Sequence, residues 1–305
     1  MTRLKISLFL FFLLLSRAFC TGEGEVSSDN SSDTSLIWTD SRGKEIHLEE
    51  APQKVISLAP NLTETLFALN RGDLLIGRTD YCDYPARAVD ISSVGTLQEP
   101  NIELIIEREP DLVLASTHVP KETVTTLEQL SIPVAYINGP EDFSGLYEVI
   151  SGCAALTEAR EEGEELIRLI ESRKEAVLAD GQSRSHTPRV YYALGFGDGG
   201  DWTAGKGTFI DAMITMAGGE NIVKSEGWSY SREMLVEEEP DLIILAQGNR
   251  EAFLSLPVYR ELSAAQSGQI YEIDENLLVR QGPRLIEGLE LLGRIFGEAE
   301  ADLDG

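Results

Sequence analysis

The chain has 305 residues, 52 of them acidic and 25 basic, so its formal charge is −27 against a hydrophobic content of 42%. So large an excess of acid, spread along the whole chain, excludes a nucleic-acid partner, whose phosphates require clustered lysine and arginine. The hydrophobic content excludes global disorder, and at roughly 150 residues per domain the length predicts two lobes with two modest cores rather than one large one.

Arg3 and Lys5 precede an apolar run from Ile6 to Leu15, followed by Ser16-Arg17-Ala18-Phe19-Cys20. This is the pattern of a secretory signal peptide over residues 1–20. The run is too short to cross roughly 30 Å of hydrocarbon, and no later segment has roughly 18 uninterrupted apolar residues, so the mature protein is expected to be exported and soluble. Removing Arg3, Lys5 and Arg17 leaves 52 acids against 22 bases, a charge of −30 that suits a salty medium or a basic partner. At Cys20 two readings compete. Bacterial lipoproteins are cut before a cysteine that is then acylated, but Phe19 is not the small residue usual there, and ordinary cleavage after Ala18-Phe19-Cys20 is the other outcome. Residues 21–35 are polar and acidic with a single apolar residue, the composition of a disordered tether.

Residues 36–141 read as a first α/β lobe led by a hairpin, Leu36 to Leu48, with Asp40-Ser41-Arg42-Gly43 as its turn. Strands are expected at Val55–Leu58, Leu112–Ala115 and Val134–Ile137, and in a second lobe, residues 188–305, at Val190–Leu194, Leu242–Leu245 and Ile270–Ile273. The halves repeat. NIELIIEREPDLVLA at 101–115 returns as SREMLVEEEPDLIIL at 231–245, aligning Glu103 with Glu233, Glu107 with Glu237, Glu109 with Glu239 and Pro110-Asp111-Leu112 with Pro240-Asp241-Leu242. Each copy reads as helix, break, buried strand, because proline cannot continue a helix and the apolar β-rich run suits a strand covered on both faces. Strands alternating with helices predict parallel sheets. Between the lobes, residues 142–187 show helical spacing, and Glu158 to Ala179 would form a stiff strut on the order of 33 Å long. The charge run Glu161-Glu162-Gly163-Glu164-Glu165 is read as a solvated helix face rather than a metal site. Cys82 and Cys153 stay open between a disulfide and two buried thiols.

Three catalytic motifs are approached and missed. Gly195-Phe196-Gly197-Asp198-Gly199-Gly200 fits GxGxxG but runs into Asp201-Trp202-Thr203 rather than a helix. The phosphate-loop pattern from Gly200 has Gly207 where Ser or Thr must hold magnesium, and Gly227-Trp228-Ser229-Tyr230-Ser231 lacks the last glycine of a nucleophile elbow. No catalytic residue is assigned.

Six segments in order, KVISLAPNLTETLFAL, TDYCDYP, VGTLQEPNIELIIEREPDLVLA, DWTAGKGTFIDAMITMAGGENIV, GWSYSREMLVEEEPDLIIL and GPRLIEGLELL, cover nearly the whole mature chain from about Ile37. They resemble the substrate-binding proteins of ABC importers for vitamin B12, haem and ferric siderophores, and DYCDYP is most similar to the cobalamin-binding members. The resemblance implies two similar parallel-sheet α/β lobes joined by a long rigid helix, with ligand in a cleft between them. It further implies a monomer without a cofactor of its own, whose cargo is a cobalt corrinoid or, alternatively, haem or a ferric siderophore. It places the protein outside the cytoplasm, periplasmic or lipid-anchored through Cys20, delivering cargo to a permease dimer with its ATPase. Large flat ligands suit aromatic walls and a few donors, so Tyr81, Tyr84, Trp202, Trp228 and Arg280 are the expected contacts. Leu97 and Ser116 stand where some cobalamin binders carry an aromatic, and His118 could compensate by touching the ligand or its metal. Glu103 and Glu233 match the acids that dock on permease arginines, equivalent carboxylates on two lobe tips suiting a two-fold partner. The rivals are a zinc or manganese receptor, for which His47, His118 and His186 are too few, and an exported two-lobed α/β enzyme.

Overall fold

The computed structural model describes residues 35–197 and 199–304, so the expected signal peptide, Cys20 and nearly all of the tether lie outside the described residues. The hairpin is present: β1 (Leu36–Thr39) and β2 (Glu45–Leu48) run antiparallel with Leu36 opposite Leu48. Its turn closes because Gly43 supplies a φ of 79° and the Asp40 carboxylate accepts the backbone N–H of Arg42 and Lys44 at 2.9 and 3.0 Å.

The first lobe follows as β3 (Val55–Ser57), α1 (Pro60–Ala68), β4 (Leu75–Arg78), α2 (Ile102–Glu107), β5 (Leu112–Ala115), α3 (Lys121–Gln129) and β6 (Val134–Tyr136). Its sheet is parallel throughout, in the order β4-β3-β5-β6. Then come α4 (Phe143–Leu156) and α5 (Arg160–Ser183). The second lobe comprises β7 (Arg189–Ala193), β8 (Asp201–Trp202), α6 (Phe209–Met216), β9 (Glu220–Asn221), β10 (Ser229–Tyr230), α7 (Arg232–Glu238) and β11 (Leu242–Ala246). It continues through α8 (Arg250–Ser255), α9 (Pro257–Arg260), α10 (Ser263–Gln266), β12 (Ile270–Ile273), α11 (Asn276–Val279) and α12 (Leu285–Asp304). Its main sheet, β9-β7-β11-β12, is also parallel and repeats the first sheet's order. The edge strands β4 and β9 are not anticipated from the sequence, since a four-residue LIGR and a two-residue EN carry too little pattern.

The repeat has a structural cause. After α2 and α7 the backbone turns left-handed at Glu109 (φ 47°) and Glu239 (φ 48°), so each helix ends before its proline. The aspartate beyond it then ties the next strand to its neighbour. Asp111 accepts the N–H groups of Gln53 and Lys54, both at 2.8 Å, and Asp241 accepts that of Arg189 at 2.7 Å.

The expectation of two separate cores gives way to one continuous core shared by both lobes. Alternate strand residues Val55, Leu112 and Leu114 of one sheet, and Val190, Tyr192, Leu242 and Ile244 of the other, join it with α1, α4, α6 and α12. The opposite faces form smaller lobe-specific clusters, around Ile56, Val113 and Ala115 and around Tyr191, Ala193, Ile243 and Leu245. Strand side chains alternate between faces, and here one face of each sheet points to the shared helices.

Helix α5 has 24 residues, about 36 Å at 1.5 Å per residue, and extends past Ala179. Arg71 of the first lobe anchors its start, donating to the Thr157 and Glu158 carbonyls at 3.0 and 2.9 Å and to Glu162 at 3.1 Å. Arg173 forks onto Glu290 of α12 at 2.8 and 2.7 Å, and near its end Gly181 packs so closely on Gly218 that a side chain at either would meet backbone. Both thiols are unpaired and buried; burial pushes that of Cys153 up to about 12.

Replacing Asp111 or Asp241 by alanine should each lower the free energy of unfolding by about 1–2 kcal/mol, read as a shift of the urea midpoint at unchanged slope. Wild-type midpoints in both variants would show that the repeated aspartates do not hold the strands together.

Candidate functional site

A cleft of about 540 Å³ opens where the carboxyl ends of the strands of both sheets converge. Its wall is made by the segments that leave those strands: Ala59, Pro60 and Asn61 after β3, Tyr81 after β4, Ser116, Thr117 and His118 after β5, and Asn138, Gly139 and Glu141 after β6. The second lobe contributes Leu194 after β7, Phe209 and Ile210 at the start of α6, Trp228 before β10, and Asn276 and residues 279–281 after β12. Loops at strand carboxyl ends are free of ladder bonding and can converge, which makes this the expected place for a ligand on open α/β sheets.

Of the six ligand contacts expected from the sequence, Tyr81, His118, Trp228 and Arg280 meet in this wall. Tyr81 and Trp228 are 51% and 37% exposed, so two aromatic faces on opposite lobes look onto open space. Tyr84 and Trp202 do not line it. The ring of Tyr84 is covered by the Arg284 guanidinium, 3.8 Å from its centroid. Trp202 lies over Gly195 on β8, whose first residue Asp201 is buried and accepts from the Tyr259 hydroxyl and from Arg232. Leu97 and Ser116 are in the wall, as their sequence positions suggest.

Four carboxamides in the wall, Asn61, Asn138, Asn276 and Gln281, and Phe209 escape the sequence reading. A signal exists for Asn138, which directly follows the expected strand ending at Ile137. The hairpin holds it: the Ser41 hydroxyl donates to the Asn138 carbonyl at 2.6 Å and accepts its N–H at 2.9 Å. Gln281 is held by donating to the carbonyls of Pro140 and Asp142 at 2.6 and 2.8 Å, an approach that only the glycine at 145 leaves room for.

Behind the wall lies an ion cluster that crosses the lobes. Glu64 on α1, with a side chain 2% exposed, accepts from Arg280 Nη1 at 2.9 Å and from Arg284 Nε and Nη2 at 3.0 and 3.2 Å. Arg280 also donates to Asp83 at 2.6 Å and to the Tyr81 carbonyl at 3.2 Å, and Arg284 lies 3.6 Å from Asp274. The hydrogen bond from Arg280 holds the Asp83 carboxyl below the ordinary carboxylate range despite its partial burial. Burial opposes the charge on Arg280, yet its bonds to Asp83 and Glu64 outweigh that and strengthen its hold on the proton.

Glu103 and Glu233 are both exposed in the first turns of α2 and α7, behind the caps Asn101 and Ser231. The Ser231 hydroxyl donates to Glu233 at 2.6 Å, which lowers its carboxyl from the usual value. Apolar neighbours Ile106, Met234 and Val236 are exposed beside them.

A family model described as periplasmic binding protein matches residues 55–277, and the chain belongs to that family. An ABC transporter substrate-binding lipoprotein of Bacillus subtilis is 28% identical over 261 residues, covering 83% of this chain and 82% of that protein. A cobalamin-binding protein of Halobacterium salinarum is 28% identical over 292 residues, covering 88% and 76%. Among solved structures, the haem-binding protein RhuT of Roseiflexus superposes with a TM-score of 0.76 at 24% identity, over 81% of this chain and 99% of that one. The vitamin B12-binding protein BtuF of Vibrio cholerae gives 0.71 at 24%, over 82% and 98%. The family is one of binding proteins rather than of enzymes.

Glu64→Ala would leave Arg280 and Arg284 buried without their shared carboxylate and should destabilise the fold by about 3–5 kcal/mol, measured by chemical denaturation. The Asp83 contribution behaves differently with pH. Its carboxyl titrates lower in the folded than in the unfolded chain, so its stabilisation is present above the ordinary aspartate range and is lost as pH falls through the depressed value. Thermal midpoints of wild type and Asp83→Asn should therefore differ at neutral pH and converge in acid.

Proposed function

We propose that the protein is the extracytoplasmic binding component of an ABC importer, that its cargo is a corrinoid of the vitamin B12 type, and that it performs no chemistry on it. The observation that carries the ligand class is the composition of the cleft. Two aromatic faces, Tyr81 and Trp228, flank a wall with four carboxamides and one guanidinium that is already engaged by carboxylates. A corrin is a broad flat ring whose rim bears neutral amides. Aromatic faces suit the ring, and asparagine side chains offer both the donor and the acceptor that each peripheral amide needs, while Gln281, whose N–H groups serve two carbonyls, offers its acceptor. The cobalamin-binding relative supports the same class.

Haem is the second reading, favoured by the His118 imidazole in the wall and by the haem-binding neighbour. Its two carboxylates fit poorly against Glu141 and an Arg280 already paired. Among the described residues no group of three or more His, Cys, Asp or Glu is placed to hold a metal ion.

Delivery would use the lobe tips. Glu103 and Glu233, each beside exposed apolar side chains, present matching surfaces to a two-fold permease, where opposite charge sets encounter and orientation more than affinity. Acylation at Cys20 would tether a monomer to the membrane, a reading supported by the lipoprotein relative.

Tryptophan-fluorescence titration with cyanocobalamin, haemin and a ferric siderophore, corrected for absorbance, tests the cargo: saturable submicromolar binding of cyanocobalamin alone is expected, and preference for either rival overturns the corrinoid reading. Tyr81→Ala and Trp228→Ala should each weaken cyanocobalamin binding by about 2 kcal/mol without unfolding the protein. Reversing Glu103 and Glu233 to lysine should leave binding in solution intact and abolish uptake; undiminished transport would refute docking through the lobe tips.

A further inference from the structure

Among the described residues of the cleft wall, Arg280 is the one side chain with a permanent positive charge, and three of its five N–H donors are already committed. One nitrogen, Nη1, serves two carboxylates at once, Asp83 at 2.6 Å and Glu64 at 2.9 Å, and Nη2 serves the Tyr81 carbonyl. The two acids are not equivalent. Glu64 is buried and shared with Arg284, so it belongs to the joint between the lobes. Asp83 is on the turn after β4 with a side chain 54% exposed, and its loop is shaped by backbone bonds, Cys82 N–H to the Thr79 carbonyl at 3.0 Å and Asp83 N–H to that of Tyr81 at 3.1 Å. Without Asp83 the cluster would still balance: Arg280 and Arg284 face Glu64 and Asp274. With Asp83 it carries one surplus negative charge at the edge of the cleft, and Glu141 in the wall adds another.

We propose that Asp83 is a specificity-determining residue: by occupying Arg280 from the solvent side it turns away ligands that present carboxylates to the cleft, while ligands with a neutral amide rim are unaffected. This rests on the ligand class proposed above and adds the means by which related anionic rings are refused. The physical reason is competition. A carboxylate entering the cleft must either displace Asp83 from Arg280 or lie beside a cluster and a wall carboxylate, Glu141, that together hold a surplus of negative charge, and like charges brought together in a partly desolvated wall repel strongly. A carboxamide needs no counter-charge and loses nothing to Asp83. Discrimination of this kind works by raising the cost of the wrong partner rather than by adding contacts to the right one.

The test titrates wild type, Asp83→Asn and Asp83→Ser with cyanocobalamin, with haemin, and with the dimethyl ester of haemin, in which both carboxylates are masked. Both variants should bind haemin at least tenfold more tightly than wild type, the gain should vanish with the dimethyl ester, and affinity for cyanocobalamin should stay within about threefold. Unchanged haemin affinity in a folded variant, or an equal gain for haemin and its ester, overturns the proposal. The two readings fail separately. Absence of cyanocobalamin binding to wild type removes the corrinoid reading, whereas the ratio of haemin to ester affinities, compared between wild type and variants, reads the action of Asp83 alone.

Discussion

The buried carboxylate of Glu64 is the constraint on which the site depends. A carboxylate withdrawn from water is tolerated only when positive charge and hydrogen-bond donors surround it, and both arginines that meet this need come from the segment after β12, more than 200 residues further along the chain. Arg280 and Arg284 therefore pull the second lobe's last loop against the first lobe's first helix. Everything nearby follows from that contact: Arg280 reaches Asp83 and the Tyr81 carbonyl, Arg284 covers Tyr84, and Gln281 lands on the carbonyls beyond β6. The cleft wall is thus built across the lobes by the same residues that join them.

The internal repeat gives the two lobes of one chain the same outer framework. What is kept in both copies is a capped short helix, a left-handed glutamate, a proline and an aspartate that fastens the neighbouring strand. Those features set how a helix leaves its sheet, so Glu103 and Glu233 share a structural position in the first turn of equivalent helices. What is not kept is equally informative. Ile102 of the first copy is replaced by Arg232 in the second, which reaches back to the Gly197 carbonyl and to buried Asp201 and so ties the tip helix to the strand that carries Trp202. The outer framework is duplicated while the inner connections of each lobe are its own.

This division also governs how much was legible in the sequence. Buried strands announce themselves as short apolar runs between breaks, and the six expected at the main repeat positions are all present, as are the hairpin and the long helix. Edge strands β4 and β9 are missed because they are short and carry no alternation. Cleft residues were readable where they follow an expected strand, as with His118 and, unnoticed, Asn138, or where an aromatic stands in one of the segments that carry the resemblance, as with Tyr81 and Trp228. Arg280 shows the limit. A cation in a loop near the cleft looks like a ligand donor until its partners are known, and Glu64, 216 residues earlier, leaves only one trace in the sequence: an acid inside the otherwise apolar and hydroxyl-bearing run of α1. Trp202 lies outside the wall for a related reason, because a two-residue ribbon sets its position and such a ribbon has no pattern to read.

The joint between the lobes also bears on how a ligand is taken up. A wide hinge opening would separate Glu64 from its arginines and Gln281 from its carbonyls, leaving buried charge unpaired at a cost of several kcal/mol. The shared core and α5, fastened to the first lobe by Arg71 and to α12 by Arg173, resist the same motion. The geometry therefore favours a cleft that exists before the ligand arrives over one made by the closure of two bodies. A preformed cleft spends little of its binding energy on ordering the protein, which leaves aromatic contact and amide pairing to set affinity, and leaves the charges fixed in its wall to decide which rings can enter.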